Sequence, residues 1–184
     1  MDRILKSVLL SSLIFTALHA SQKEREGGPY IGLGYGFSSY NDDGYYSKVD
    51  DRNIASYNLY AGAYINKYLS VELDYMRSGD FKVEDTSKDS FNYSSVTINA
   101  LAHYPVLYGN LDFYAKFGAG QSYVNISGSD GAALVIGGGM SYRINEIFAL
   151  KVGYDMYSFN YDSDARGGFD MDVQYAFAAV EVQF

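Results

Sequence analysis

Apolar and polar residues alternate along most of the chain from residue 29 onward. In 69–77, LSVELDYMR, leucine, valine and tyrosine are interleaved with serine, glutamate and aspartate. Because successive side chains of a strand point to opposite faces, such a segment has one apolar and one polar face. Eight segments share this pattern, and each is about as long as the ~9–11 residues that a tilted strand needs to cross a bilayer. They are 30–40, 55–64, 69–77, 91–104, 111–123, 132–144, 148–157 and 171–184.

The connections between these segments alternate in length. Polar and mostly long connections cover Asn41–Asn53, Gly79–Ser90, Ile126–Gly131 and Ser158–Asp170, and short ones cover Ile65–Tyr68, Pro105–Asn110 and Asn145–Ile147. Outer-membrane barrels combine an even strand count with short turns at one end and longer loops at the other. The pattern therefore predicts an all-β fold, an up-and-down antiparallel transmembrane β-barrel of eight strands.

The residues on the two faces indicate which one is turned inward. The polar face is rich in glycine and also carries charged residues, whereas the apolar face carries tyrosine and phenylalanine near the strand ends. A soluble barrel has its apolar face inside, and a membrane barrel reverses this, with aromatic girdles at the two interfaces. We therefore expect the polar face to line the lumen and the apolar face to contact lipid.

The first twenty residues have the layout of an export signal. Arg3 and Lys6 precede an apolar run over 7–18, and Ala20 offers a small residue for cleavage before Ser21. The run is too short for a transmembrane helix, which needs ~20 residues. The predicted organisation is a cleaved signal peptide at 1–20, a polar mature N-terminus at 21–28 and the barrel at 29–184.

Charge and composition exclude several function classes. The formal net charge is -8 at pH 7, which disfavours nucleic-acid binding. The chain has no cysteine, so disulfides and thiolate chemistry are excluded. His103 is the one histidine after the predicted leader, so a multi-histidine metal site is excluded as well. We expect no cofactor and no bound metal.

The segments YIGLGYGFSSY, SYNLYAGAYINKYLSVELDY, FYAKFGAGQSYV and LVIGGGMSYRINEIFALKVGYDMY resemble the eight-stranded outer-membrane barrel superfamily. That superfamily includes the N-terminal barrel of outer-membrane protein A and the opacity-type adhesins. The C-terminal Phe184, with Val182 and Val180 at alternate positions before it, is similar to the family's signal for barrel assembly. The resemblance implies a location in the cell outer membrane and, as partners, membrane lipid, lipopolysaccharide and the barrel-assembly machinery.

Charged residues in the lumen phase form the candidate site. Glu72, Lys151 and Glu181 are expected at similar depth, with Lys116 slightly deeper. Because buried charges are costly unless paired, we predict an ionic cluster in which Lys151 pairs with Glu181 or Glu72. Glu72 is expected to face Lys116 or Lys151 across the lumen. His103 is predicted to face the lumen near a short turn, held by hydrogen bonds.

An eight-stranded barrel has an interior just wide enough for its own side chains, which argues against a general diffusion porin. The prediction is therefore a monomeric, non-enzymatic barrel that supports envelope integrity and contacts surfaces, or host ligands, through four outer loops. One alternative, implied by the resemblance, is a narrow gated pore for ions or small solutes. A second is a lipid-modifying enzyme, which would need a Ser/His/acid triad at the outer leaflet.

Overall fold

The computed structural model describes residues 27–41, 53–82, 90–125, 129–161 and 169–184. The predicted signal peptide and residues 21–26 lie outside the described residues. Eight of the strands form one closed barrel, in which every neighbouring pair is antiparallel. They are β1 (Gly28–Asn41), β2 (Ile54–Asn66), β3 (Leu69–Ser78), β6 (Tyr93–Val106), β7 (Leu111–Val124), β8 (Ser129–Arg143), β9 (Phe148–Tyr161) and β10 (Phe169–Gln183). The predicted eight-stranded up-and-down barrel is confirmed.

The barrel closes where the first strand meets the last. The ladder between β1 and β10 runs from Tyr30 opposite Gln183 to Asn41 opposite Asp172. At its end the Phe184 N–H donates to the Pro29 carbonyl at 3.0 Å. Closure satisfies the backbone groups that an open sheet would leave at its edges. Separately, no helix among the described residues is long and apolar enough to cross a membrane.

Two departures from the predicted boundaries lie at the ends of the strands. β8 begins at Ser129, and β9 pairs with β10 as far as Tyr161 opposite Phe169, in stretches predicted to be loop. Two short strands, β4 (Phe81–Lys82) and β5 (Ser90–Phe91), pair with each other at the predicted Gly79–Ser90 connection. Phe91, predicted to begin a barrel strand, therefore belongs to β5, and the barrel strand β6 begins at Tyr93. Ladders that extend beyond the apolar band need no alternating apolar face, so the hydrophobic pattern does not reveal them.

Burial follows the alternation. On β3 the side chains of Ser70, Glu72 and Asp74 are buried in the lumen, whereas Val71 and Leu73 are exposed on the outer surface. Large apolar side chains are exposed on the outer surface of the barrel, and they include Leu33, Ile98, Phe117, Ile136 and Val180. Exposure of these side chains to water would be unfavourable, so the two faces are arranged as in a membrane barrel.

Glycines on the lumen face give space to large rings from neighbouring strands. A Cβ at Gly32 would collide with the Tyr60 ring, and one at Gly62 would collide with the Tyr30 ring. The tyrosine rings therefore occupy volume that side chains at these positions would need. This packing explains how a narrow barrel can be both rich in glycine and filled.

Candidate functional site

The charged residues of the lumen converge on Lys116, which β7 projects toward the barrel axis. Its Nζ lies 3.0 Å from Glu72 Oε1, 3.0 Å from Asp74 Oδ2 and 2.8 Å from Asp155 Oδ2. These four side chains are almost completely buried. One ammonium thus compensates parts of three carboxylates, an arrangement that can offset the cost of burying the charges.

The contact between Lys116 and Asp155 passes over a glycine. Gly137 on β8 pairs with Lys116 of β7 on one side and with Asp155 of β9 on the other. A Cβ at Gly137 would collide with the Asp155 carboxylate. The missing side chain therefore lets two strands that are not neighbours exchange an ion pair, which gives a specific reason for one glycine of the Gly137–Gly139 run.

Lys151 belongs to the same cluster through a shared carboxylate. Its Nζ lies 3.0 Å from Glu72 Oε2, so the two oxygens of Glu72 contact one lysine each. The ammonium is also 4.4 Å from the centroid of the Tyr60 ring and 4.7 Å from that of Tyr114. Aromatic faces attract cations, so two rings accompany the single carboxylate at this position.

Glu181 does not form the predicted pair with Lys151. The ladder places Glu181 opposite Ala149, and Lys151 opposite Ala179, so the two side chains are staggered along their strands. Glu181 Oε1 instead accepts a hydrogen bond from the Tyr64 hydroxyl at 3.2 Å. Lys151 reaches across the lumen to β3, and of the two partners proposed for it the structure has Glu72.

Asp74 and Asp155 were missing from the predicted cluster. Both lie in the lumen phase of their strands, Asp74 two residues after Glu72 and Asp155 four residues after Lys151. The rule that residues i, i+2 and i+4 share a face was therefore enough to find them. Asn58 supports Asp74 through contacts of 3.3 and 3.4 Å from its Nδ2, and it accepts a hydrogen bond from the Tyr175 hydroxyl at 3.2 Å.

A second polar group lies between this cluster and the short turns. His103 Nδ1 is 2.6 Å from Asp112 Oδ2, and His103 Nε2 is 2.8 Å from Ser70 Oγ. This is the connectivity of a Ser–His–Asp triad. Ser70, however, has no exposed surface and packs with its Oγ 3.3 Å from the Tyr30 hydroxyl. With Ser70 enclosed in this way, the three side chains form buried contacts that join β3, β6 and β7.

A cavity of about 270 Å³ opens at the same end of the barrel. Asp112 reaches it from the lumen side, and the turn between β6 and β7 forms part of its wall. The other lining residues are Lys67, Tyr68, Tyr104, Pro105, Tyr108 and Gly109. The cavity does not include Glu72, Lys116 or Lys151, so it is separate from the ionic cluster. In the described part of the chain, no group of three acidic or histidine residues is placed to hold a metal ion.

The residues of the predicted assembly signal lie at the end of β10. Val180 and Phe184 are exposed on the outer surface and Val182 is half-buried. Their alternation continues the lipid-facing phase of the strand. Recognition by the assembly machinery remains a prediction.

A family model described as outer membrane protein beta-barrel domain matches residues 7–183. The chain belongs to this family. It is therefore an outer-membrane β-barrel protein, and its location in the cell outer membrane is confirmed. Because barrels of this kind keep their short turns in the periplasm, we call the end with those turns the periplasmic end and the opposite one the outer end.

Solved structures of other outer-membrane barrels share the fold. Neisserial surface protein A is 19% identical with a TM-score of 0.63, and the match covers 85% of this chain and 97% of that one. Ail, the attachment invasion locus protein of Yersinia pestis, is 21% identical with a TM-score of 0.57, covering 86% and 99%. OprG from Pseudomonas aeruginosa is 14% identical with a TM-score of 0.54, covering 89% and 98%. A comparison with curated protein sequences found no match.

Proposed function

We propose that this outer-membrane barrel is a closed, non-enzymatic protein that contacts surfaces through the connections at its outer end and supports envelope integrity. The observation that carries the proposal is the plug around Lys116, in which three carboxylates and one ammonium meet across the lumen. Because the lumen is filled, we expect the protein to make its contacts through the connections at the outer end. Catalysis is not part of the proposal, because the Ser70 hydroxyl is fully buried.

The composition of the outer connections suggests the chemistry of a partner. Segments 42–53, 79–92, 125–128 and 162–168 together contain ten acidic and five basic residues. A structure of the related Ail is in complex with the heparin analogue sucrose octasulfate, a polyanion. An acidic outer end repels polyanions and attracts basic surfaces. We therefore expect a basic protein surface as the partner, in contrast to the ligand of Ail.

Shortening the outer connections tests this function. Cells would produce the native barrel, a variant with 43–51, 83–88 and 162–167 replaced by short Gly-Ser links, or neither protein. Attachment to a surface coated with a basic matrix protein should fall to the level of non-producing cells in the variant, and heparin-coated surfaces should capture none of the three. A heat-modifiability gel verifies that the variant folds. Equal attachment by native and shortened barrels would contradict the proposal.

The contribution to envelope integrity has a separate readout. A strain that lacks the protein should be more sensitive to detergents, and both the native and the shortened barrel should restore resistance if the barrel itself is responsible. Failure of the native barrel to restore resistance would remove this part of the proposal and leave surface contact untouched.

A narrow gated pore is the second candidate, and the environment of Lys151 favours it. Lys151 pairs with a single carboxylate, Glu72, whereas Lys116 is held by three. Lys151 is therefore the cation that can leave its position at lower cost. If the lumen opens when Lys151 leaves Glu72, Lys151→Met should increase the fraction of time that single channels are open in planar bilayers. No channel activity in this variant would count against the pore.

A further inference from the structure

The cavity at the periplasmic end spans the rim of the barrel. Tyr104 lines it from the lipid-facing side of β6, and Asp112 lines it from the lumen-facing side of β7. Three of its tyrosines, Tyr68, Tyr104 and Tyr108, are 56%, 70% and 81% exposed. In outer-membrane barrels, such aromatic side chains lie at the level of the lipid headgroups. The cavity therefore opens where the headgroups of the periplasmic leaflet meet the barrel wall.

The walls of this cavity carry charges of both signs. Lys67, in the turn between β2 and β3, contributes an ammonium, and its Nζ lies 5.3 Å from the centroid of the Tyr68 ring. Asp112 contributes a carboxylate from the lumen side. Tyrosine rings attract cations, and tyrosine hydroxyls can donate hydrogen bonds to anions. A ligand that complements these walls carries an anionic and a cationic group joined by a short link.

The turn between β6 and β7 presents Tyr108 to the cavity. Leu107 and Tyr108 both have left-handed backbone, with φ of 47° and 57°. This conformation is unfavourable for residues other than glycine, and the surrounding structure keeps such strain mainly at functional sites. Its result here is that a largely exposed ring lines the cavity. Contact of that ring with a ligand gives the strained turn a function.

The outer surface next to the cavity has space for an acyl chain. On the lipid-facing side of β6, Tyr104 is preceded by Ala102 and Ala100, which lie progressively closer to the middle of the strand. Ala100 pairs with Val71 of β3 on one side and with Phe117 of β7 on the other, and both of these larger side chains are exposed. Ala100 and Ala102 thus form a shallow strip between larger side chains, which we call the alanine strip. It leads from the cavity toward the centre of the bilayer.

We infer that this cavity binds the headgroup of a zwitterionic phospholipid of the periplasmic leaflet, one that carries a phosphate and a primary ammonium. The phosphate pairs with Lys67, the ammonium lies among the tyrosine rings on the side of Asp112, and one acyl chain follows the alanine strip. The size of the cavity agrees with this ligand. Its volume of about 270 Å³ equals that of about nine water molecules, and a phosphoethanolamine group has about eight non-hydrogen atoms.

Native mass spectrometry of the barrel purified from outer membranes tests this site. Phosphatidylethanolamine and phosphatidylglycerol with identical acyl chains are added separately to the protein in detergent, and the fraction that retains one lipid is measured. The native barrel should bind phosphatidylethanolamine about fivefold more tightly, because phosphatidylglycerol has no ammonium. Lys67→Gln should weaken the binding of both lipids by about fivefold, since the phosphate loses its cation, and Lys67→Arg should keep it.

A matched pair of tyrosines separates this site from lipid that merely surrounds the barrel. Tyr142 is also exposed near the periplasmic end of its strand but lies outside the cavity. Tyr104→Leu should weaken the retention of phosphatidylethanolamine, and Tyr142→Leu should not. Ala102→Phe, which blocks the alanine strip, should weaken it as well. Water-soluble glycerophosphoethanolamine at the same concentration should not displace the lipid, because it has no acyl chain.

The preference between the two lipids tests the placement of the ammonium. Asp112→Asn should remove most of the preference for phosphatidylethanolamine, and a heat-modifiability gel verifies that each variant folds. Equal retention of phosphatidylethanolamine by native and Lys67→Gln barrels would overturn the inference. So would equal affinity of the native barrel for the two lipids, equal effects of Tyr104→Leu and Tyr142→Leu, or displacement of the lipid by glycerophosphoethanolamine.

Discussion

The two halves of the lumen share one alternation of side chains but differ in chemistry. The periplasmic half holds the lysines, the carboxylates and His103, joined by short contacts across strands. The outer half is lined mostly by aromatic and aliphatic side chains with scattered hydroxyls, such as Tyr157, Phe159, Val135 and Ser95. The Tyr93 and Phe159 rings stack there at 5.2 Å.

The difference shows that an equal degree of burial can have unequal consequences. In the periplasmic half each charge depends on a partner from another strand, so removing one group leaves others uncompensated. In the outer half packing contacts are accompanied by isolated hydrogen bonds, such as that between the Tyr93 and Ser122 hydroxyls, so the loss of one polar atom stays local. We therefore expect substitutions in the two halves to differ in cost even where the side chains are equally buried.

The largest effect is expected for Lys116→Met. This change leaves Glu72, Asp74 and Asp155 without their shared ammonium and should lower the free energy of unfolding by about 3–5 kcal/mol. Urea unfolding in lipid vesicles measures it, with Lys116→Arg as the control that keeps the positive charge. A loss below about 1 kcal/mol would mean that the cluster does not hold the periplasmic half together.

An arginine on the lipid face should cost somewhat less. Leu73, midway along β3, is exposed on the outer surface, so Leu73→Arg should cost about 2–4 kcal/mol in the same assay. Tyr104 is also exposed but lies near the end of β6 by the periplasmic turn, where Tyr104→Arg should cost less than about 1 kcal/mol. Equal costs at the two sites would argue against the placement of Leu73 near the middle of the bilayer.

A smaller effect is expected for the interaction of Lys151 with its partner. A double-mutant cycle with Lys151→Met and Glu72→Gln should give a coupling energy within the range of about 0.5–3 kcal/mol that contacting residues show. The matched cycle with Glu181→Gln should give a coupling near zero, because Glu181 pairs with Tyr64. A stronger coupling to Glu181 would reverse the assignment.

The smallest effect is expected in the outer half. Tyr157 is fully buried, and its hydroxyl has no hydrogen-bond partner among the described residues. Tyr157→Phe keeps the ring and should change the stability by less than about 1 kcal/mol in either direction, since no hydrogen bond is lost. If thermal or urea unfolding shows a loss comparable to that of Lys116→Met, the two halves are not distinct.

The alternation was sufficient to predict the architecture, because on a strand such as β3 it states which side chains share a face. It also brought Glu72, Lys116 and Lys151 into one lumen. It offered Glu72 as a partner across the barrel, which the structure has, but it could not choose between Glu72 and Glu181 for Lys151. That choice depends on the stagger of the strands, and the contact of Lys116 with Asp155 depends on the gap at Gly137. The predicted Lys151–Glu181 pair came from strand adjacency alone, and the register moved the two residues apart.

The contacts of His103 were also beyond the sequence pattern. His103 was correctly expected in the lumen near a short turn, but its two partners come from β3 and β7. Their approach depends on where each strand begins after its turn, and hydrophobic periodicity carries no information on that point.

The central claim is that the ionic cluster closes the lumen, and single-channel recording of the native barrel in planar bilayers tests it most directly. The cluster around Lys116 predicts a current no larger than that of the bare bilayer, at either polarity of the applied voltage. Steady current steps from the native protein, present from the moment of insertion and unchanged in Glu72→Gln, would contradict it.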